Sequence, residues 1–318
     1  MSSRPKLAVI GCGYWGKNIV RTVNDLGYLK TVIDANQKLQ KDFNDDLGLE
    51  NMGIENALSD DEIKGVMIAT SANTHFDVAM KCLASEKDVF IEKPICLDLD
   101  QASKIGEKSK QNNSILMVGH LLHYHDHFIE MKKILNSERL GKIKRIKSSR
   151  KSFGIIRDYE DVVWSFSPHD ISMVLSLSKN KSYQKLSIMR QDFFNSNTDK
   201  ANIFFELDGI NVEIEVDWGS AKKEQKIEVY CEKGILVFED SNINPDQKLY
   251  SLDANFTKEN LSKKNLLQPN YIEVNSENNP LKNECEAFVD AINTRRQPVT
   301  CFEEAYLVLE ILLKLQKI

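Results

Sequence analysis

Leu7-Ala8-Val9-Ile10, an uninterrupted apolar run, leads straight into Gly11-Cys12-Gly13-Tyr14-Trp15-Gly16. Beyond it Ile19, Val20, Val23 and Leu26 fall on one face at helical spacing, and Gly27 stands where a helix stop belongs. Strand, glycine turn and helix in that order leave few folds open. A strand with no polar position is one covered on both faces, as in a parallel sheet. Gly11 permits the tight turn, Gly13 lets backbone N–H groups approach a pyrophosphate, and Gly16 lets the helix pack close. Tyr14 and Trp15 sit in the same loop and are expected to touch the same ligand. The next strand, Thr31-Val32-Ile33, ends at Asp34, within the spacing of about 20 residues that such loops show. A carboxylate there accepts from ribose hydroxyls and repels a 2′-phosphate, which predicts NAD rather than NADP.

Val66-Met67-Ile68-Ala69 reads as a fourth strand-like run. Its exit, Thr70-Ser71-Ala72-Asn73-Thr74-His75, is small and polar, and Thr70, Ser71, Asn73 and His75 are expected at the ribose and phosphates. Val89-Phe90-Ile91 is a buried strand that ends in Glu92-Lys93-Pro94. Pro94 cannot donate to a ladder, so the strand stops there and Lys93 lies at its carboxyl end, where open α/β sheets bind their ligands. Ile115-Leu116-Met117-Val118 follows after another helical stretch. This alternation predicts an N-terminal Rossmann domain, a doubly wound parallel sheet over residues 1–120.

Past residue 140 the period changes to two. Ile210, Val212, Ile214, Val216 and Trp218 alternate with Asn211, Glu213, Glu215 and Asp217, and Asp208-Gly209 is a hairpin signal. Ile227-Val229-Cys231, a turn at Gly234 and Leu236-Val237-Phe238 extend the meander. Residues 121–318 are therefore expected to form an α+β domain with a large, mostly antiparallel open sheet. Residues 240–280 read as a long polar loop with one short strand at most, and Asn283–Asn293 and Glu303–Gln316 as closing helices. In Trp164-Ser165-Phe166-Ser167-Pro168-His169-Asp170, Ser167 reads as an N-cap and Pro168 as the first helical residue. That places His169 in a first turn, where the helix dipole disfavours imidazolium and leaves a neutral base.

The 318 residues suit two domains, and a net charge of −5 argues against a nucleic-acid partner. No apolar stretch reaches the roughly 18 residues of a membrane span. The N-terminus lacks a signal-peptide hydrophobic region. Six scattered cysteines without a Cys-x-x-Cys pair fit a reducing cytoplasm. Four of the six histidines crowd into positions 120, 123, 125 and 127. Beyond Asp126 no carboxylate or cysteine stands at a matching spacing, and no metal is expected.

Taken together, Gly11–Gly16, the Thr70–His75 loop, Glu92-Lys93-Pro94 and Pro168-His169-Asp170 resemble the Gfo/Idh/MocA oxidoreductases, over essentially the whole chain. Gly119–His125, Arg150, Gly154, Arg157 and Trp164–Asp170 are similar to the branch that oxidises nucleotide-activated amino sugars at C3. The resemblance implies Lys93 and His169 as the catalytic pair beside the nicotinamide, with Glu92 and Lys93 also at the cofactor. It implies His120, Tyr124, Arg150, Arg157, Trp164 and His169 as substrate contacts, with the two arginines holding a diphosphate. The implied substrate is UDP-N-acetylglucosamine or its uronic acid, with the 3-keto product passing to a PLP-dependent aminotransferase. A homodimer or homotetramer is the implied assembly. Ser165 replaces an aspartate that many members carry four residues before the histidine, and His123 replaces an arginine.

Overall fold

The computed structural model describes residues 4–153, 156, 160–194, 198–253, 268–277 and 279–318. In chain order these form β1 (Lys6–Ile10), α1 (Gly16–Asp25), β2 (Leu29–Ile33), α2 (Gln37–Leu47), α3 (Ile54–Ser59), β3 (Ile63–Ile68), α4 (His75–Ala84), β4 (Asp88–Glu92), α5 (Leu99–Gln111) and β5 (Leu116–Gly119). There follow α6 (Asp126–Asn136), β6 (Ile143–Phe153), α7 (Val162–Leu175), β7 (Tyr183–Gln191), β8 (Lys200–Leu207), β9 (Ile210–Asp217), β10 (Gly219–Cys231) and β11 (Gly234–Glu239). The chain closes with β12 (Leu249–Asp253), β13 (Pro269–Tyr271), α8 (Pro280–Thr294) and α9 (Phe302–Lys317). It divides into two compact units, Met1–Leu121 with Pro280–Glu310, and Leu122–Asn279 with Ile311–Ile318.

The first unit is built on a five-stranded sheet in the order β2-β1-β3-β4-β5, parallel throughout. The central strands are dry on both faces, as their unbroken apolar sequences require. Val66–Ile68 is thus part of the third strand, not the fourth. Between β2 and β3 the chain makes α2 and α3 and no strand. The edge left beside β2 is closed by a side chain: Val32 N donates to Asn44 Oδ1 at 2.9 Å and Asn44 Nδ2 donates to Val32 O at 2.8 Å. An amide on a helix thereby takes both ladder bonds that a further strand would have made. On the opposite edge Val118 N donates to Thr300 O at 2.9 Å.

The second unit holds an eight-stranded sheet, β13-β12-β11-β10-β6-β9-β8-β7, antiparallel except where β6 meets β9. Asp208 and Gly209 both take positive φ, 49° and 82°, as a two-residue hairpin between β8 and β9 demands. Within 240–280, where one short strand at most is expected, β12 and β13 both appear. The apolar side of the sheet is covered by α7, against β6, β8 and β9. Its other side is a ladder of paired charges, Lys151 to Glu215 at 2.6 Å and Lys200 to the same Glu215 at 2.8 Å among them.

The start of α7 differs from the expectation. Asp161, not Ser167, is the N-cap, accepting from Trp164 N at 3.0 Å, and the apolar Val162-Val163 opens the helix. Pro168 lies inside the helix, where Ser167 Oγ turns back to Val163 O at 2.6 Å. His169 therefore sits mid-helix, and the dipole argument for its neutrality does not apply there. Among the described residues no helix is long and apolar enough to cross a membrane.

Candidate functional site

In the first unit the glycine loop is shaped by contact on one side and space on the other. Gly11 has φ +96°, and a Cβ on it would stand 2.7 Å from the backbone of Ala69 and Thr70. A Cβ on Gly16 would fall 2.0 Å from Gly11 O. Gly13 has nothing within 4 Å of that position, and Tyr14 is 76% exposed. The loop is thus pressed against the sheet and open outward, the cradle a pyrophosphate needs. Asp34 stands at its flank: Oδ2 accepts from Cys12 N at 2.8 Å and Oδ1 from Asn36 N at 2.8 Å. Burial, with Asp34 beside it, pushes the Cys12 thiol up to about 12, so this cysteine is a packing group and not a nucleophile. These residues fit a dinucleotide: open glycine backbone for the diphosphate and one fixed carboxylate at the end of β2 for a ribose.

The other strand exits are braced to this loop. Ser71 and Asn73 are exposed, whereas His75 is 1% exposed, its ring between Pro94 O at 2.8 Å and Thr70 O at 3.0 Å. Burial, helped by the Lys93 charge, lowers the His75 pKa against the pull of those two carbonyls. His75 therefore ties the exits of β3 and β4 together from within. Trp15 Nε1 donates to Glu92 Oε1 at 2.6 Å, and Lys93 N to Glu92 Oε2 at 3.2 Å, so the last carboxylate of β4 grips the glycine loop. It lies over Gly119, where a Cβ would come within 3.0 Å of its oxygen. The Lys93–Pro94 peptide is cis. His120, 2% exposed, places Nε2 3.7 Å from Glu304 Oε2. Burial lowers its pKa, Glu304 opposes that, and Lys93 adds to it.

Sequence reasoning passes over Glu284. It lies on α8, fully buried, and neither side-chain oxygen has a hydrogen-bond partner. Its signal was available: an acid four residues before Phe288 and eight before Ile292, on the apolar face of an amphipathic helix.

In the second unit His169 is half-buried and the next residue, Asp170, is fully buried. Asp170 accepts from Arg150 Nε and from Ser148 Oγ, each at 2.6 Å. Arg150 thus commits its Nε to a buried ion pair. Trp164 is half-buried, Tyr124 is buried, and Arg157 lies outside the described residues. Three of the clustered histidines separate by partner here. His123 Nε2 meets Ser172 Oγ at 2.7 Å, His125 Nε2 lies 3.2 Å from Asp240 Oδ1, and His127 Nε2 lies 3.0 Å from Pro245 O. Among the described residues no three His, Cys, Asp or Glu side chains are grouped to hold a metal ion.

Residues 6–120 match the oxidoreductase family with an NAD-binding Rossmann fold, Gfo/Idh/MocA. The scyllo-inositol 2-dehydrogenase (NAD(+)) of Bacillus subtilis is 28% identical over 148 residues, 45% of this chain and 43% of that one. The myo-inositol 2-dehydrogenase of Thermotoga maritima is 25% identical over 141 residues, 43% of this chain and 42% of that one. The chain thus spans less than half the length of these curated relatives. The fold is shared more widely. UDP-N-acetylglucosamine 3-dehydrogenase GnnA from Acidithiobacillus ferrooxidans superposes with a TM-score of 0.85 at 19% identity, over 98% of this chain and 96% of that one. GenD2 from gentamicin A biosynthesis, in complex with NAD, gives 0.82 at 17% identity, over 99% and 93%.

Proposed function

Because the chain carries the NAD-binding Rossmann domain of the Gfo/Idh/MocA oxidoreductase family, we propose that it is an NAD-dependent dehydrogenase acting on the C3 hydroxyl of a UDP-linked N-acetylamino sugar, with UDP-N-acetylglucosamine the first candidate. The observation that carries the reading is the grip of Trp15 on Glu92, which sets Lys93 at the carboxyl end of β4 beside the glycine loop. Gly11, Gly13, Gly16, Tyr14, Trp15, Asp34, Thr70, Ser71 and Asn73 are the residues proposed to hold the dinucleotide. When bound, NAD supplies the acceptor for a hydride.

Lys93 is assigned to donate a hydrogen bond to the alcohol oxygen and His169 to take the hydroxyl proton. Trp164, Tyr124 and Arg157 are the proposed sugar-nucleotide contacts, with Arg150 held for that duty by Asp170 and His120 held by Glu304. The product, a 3-keto sugar nucleotide, suits a PLP-dependent aminotransferase as the next step, in the cytoplasm.

A second reading, oxidation of a free cyclitol, is favoured by the inositol dehydrogenases among the sequence relatives. Reduction of NAD with UDP-N-acetylglucosamine, its uronic acid and myo- or scyllo-inositol, each coupled to removal of the keto product, separates them. Turnover with the neutral sugar nucleotide is expected. Turnover with the acid alone moves the substrate to the uronate, and turnover with inositol alone overturns the sugar-nucleotide reading.

A further inference from the structure

Glu284 is a fully buried carboxyl without a hydrogen-bond partner, and the packing of α8 places it at the end of β4. A Cβ on Gly65 in β3 would come within 2.8 Å of Ile292 and 3.1 Å of Phe288. The Phe288 ring lies 6.0 Å from that of Phe90 in β4. From Phe90 to Glu92 the strand advances about 6.6 Å, and from Phe288 back to Glu284 the helix retreats about 6 Å. The stripe Ile292, Phe288, Glu284 therefore runs up the sheet and brings its acid level with Glu92.

Two carboxylates facing each other in a dry interior do not both ionise. The proton can be assigned from the donors present. Glu92 already accepts from Trp15 Nε1 and from Lys93 N, as an ionised acceptor should. Glu284 has no donor at all. Burial first, and the Glu92 charge second, push its carboxyl well above the ordinary carboxyl range.

We propose that Glu284 is a positioning residue: its protonated carboxyl donates a hydrogen bond to Glu92 from behind the sheet, and so fixes, through Trp15, the glycine loop that receives the dinucleotide. The proposal rests on the assignment of that loop to NAD, but it is independent of the sugar. It makes an acid on a C-terminal helix part of the cofactor site without contact to the cofactor.

The test uses the whole chain, with Glu284→Gln, which keeps a donor, and Glu284→Leu, which removes it. The wild type at pH 8 should show the infrared carbonyl stretch of a protonated buried carboxyl, and Glu284→Gln should abolish it. In the ligand-free protein the indole N–H resonance of Trp15, assigned by its loss in Trp15→Phe, should shift in Glu284→Leu and stay near its place in Glu284→Gln. The NAD dissociation constant should rise about tenfold in Glu284→Leu and less than about threefold in Glu284→Gln. Absence of the protonated-carboxyl band, its survival in Glu284→Gln, or equal behaviour of the two variants at Trp15 overturns the proposal. These readouts need no ligand, so a failure of the wild type to bind NAD is recognised separately, as a failure of the cofactor assignment. Should Glu284→Leu not fold, the band and the Glu284→Gln resonance decide alone.

Discussion

Asp34 does two things with one carboxylate. It accepts the Cys12 N–H, shaping the glycine loop, and it is proposed to set its negative charge against a 2′-phosphate. Substitution separates these. In Asp34→Asn the side-chain oxygen still accepts from Cys12 while the charge is gone, so the preference for NAD over NADP should fall about tenfold with the loop intact, read as the ratio of the two dissociation constants. Lys93→Met tests the chemistry by contrast: NAD binding measured by titration should persist, while turnover falls by about 10²–10⁴. Glu284 carries a pH signature. Its folded pKa lies well above the ordinary carboxyl value of 4.5, so the native state keeps a proton that the unfolded chain has lost. Stability therefore falls as pH rises from 4.5 toward the folded value. Glu284→Gln removes that slope. The variant should gain on the wild type in thermal midpoint between pH 5 and pH 8, and a gain that shrinks with pH would contradict the sign.

At the scale of elements, α2 and α7 show how single polar side chains decide where regular structure begins and ends. Asn44 substitutes for a strand at the edge of β2, and Asn44→Ala would leave a buried N–H and C=O of Val32 unpaired. We expect a loss of about 2 kcal/mol, measured by denaturant unfolding, with faster amide exchange at Val32 as its local mark. In α7 the Asp161 cap and the Val162-Val163 start outweigh the signal of Ser167-Pro168, and the helix runs on through Pro168. His169 accordingly sits mid-helix.

For the molecule as a whole, the second sheet presents a face on which β9 sets Glu213, Glu215 and Asp217 against basic residues of β6 and β8. These pairs are only partly exposed, and surface pairs contribute about 0–1 kcal/mol each, so folding alone gives little reason for so many. A homodimer or homotetramer joined through that face is the proposed assembly, and Glu215→Lys should dissociate it by sedimentation while the circular dichroism stays unchanged. A monomeric wild type would end that proposal. The parts of this architecture legible in the sequence are those set by near neighbours. The glycine turn after β1, the Gly27 stop, the alternation of β8 and β9 and the Asp208-Gly209 hairpin follow from periodicity and allowed φ, which a short stretch of chain determines by itself. The residues proposed at the dinucleotide loop were legible for the same reason, since Gly11, Gly16 and Asp34 belong to one strand–helix–strand segment. The edge pairing of Asn44, the brace of His75 on Pro94, the separate partners of the four clustered histidines and the bond of Trp15 to Glu92 were decided only by the tertiary structure. Each joins groups whose distance is set by how strands and helices stack, and a buried polar group takes its partner from whatever the fold brings within reach.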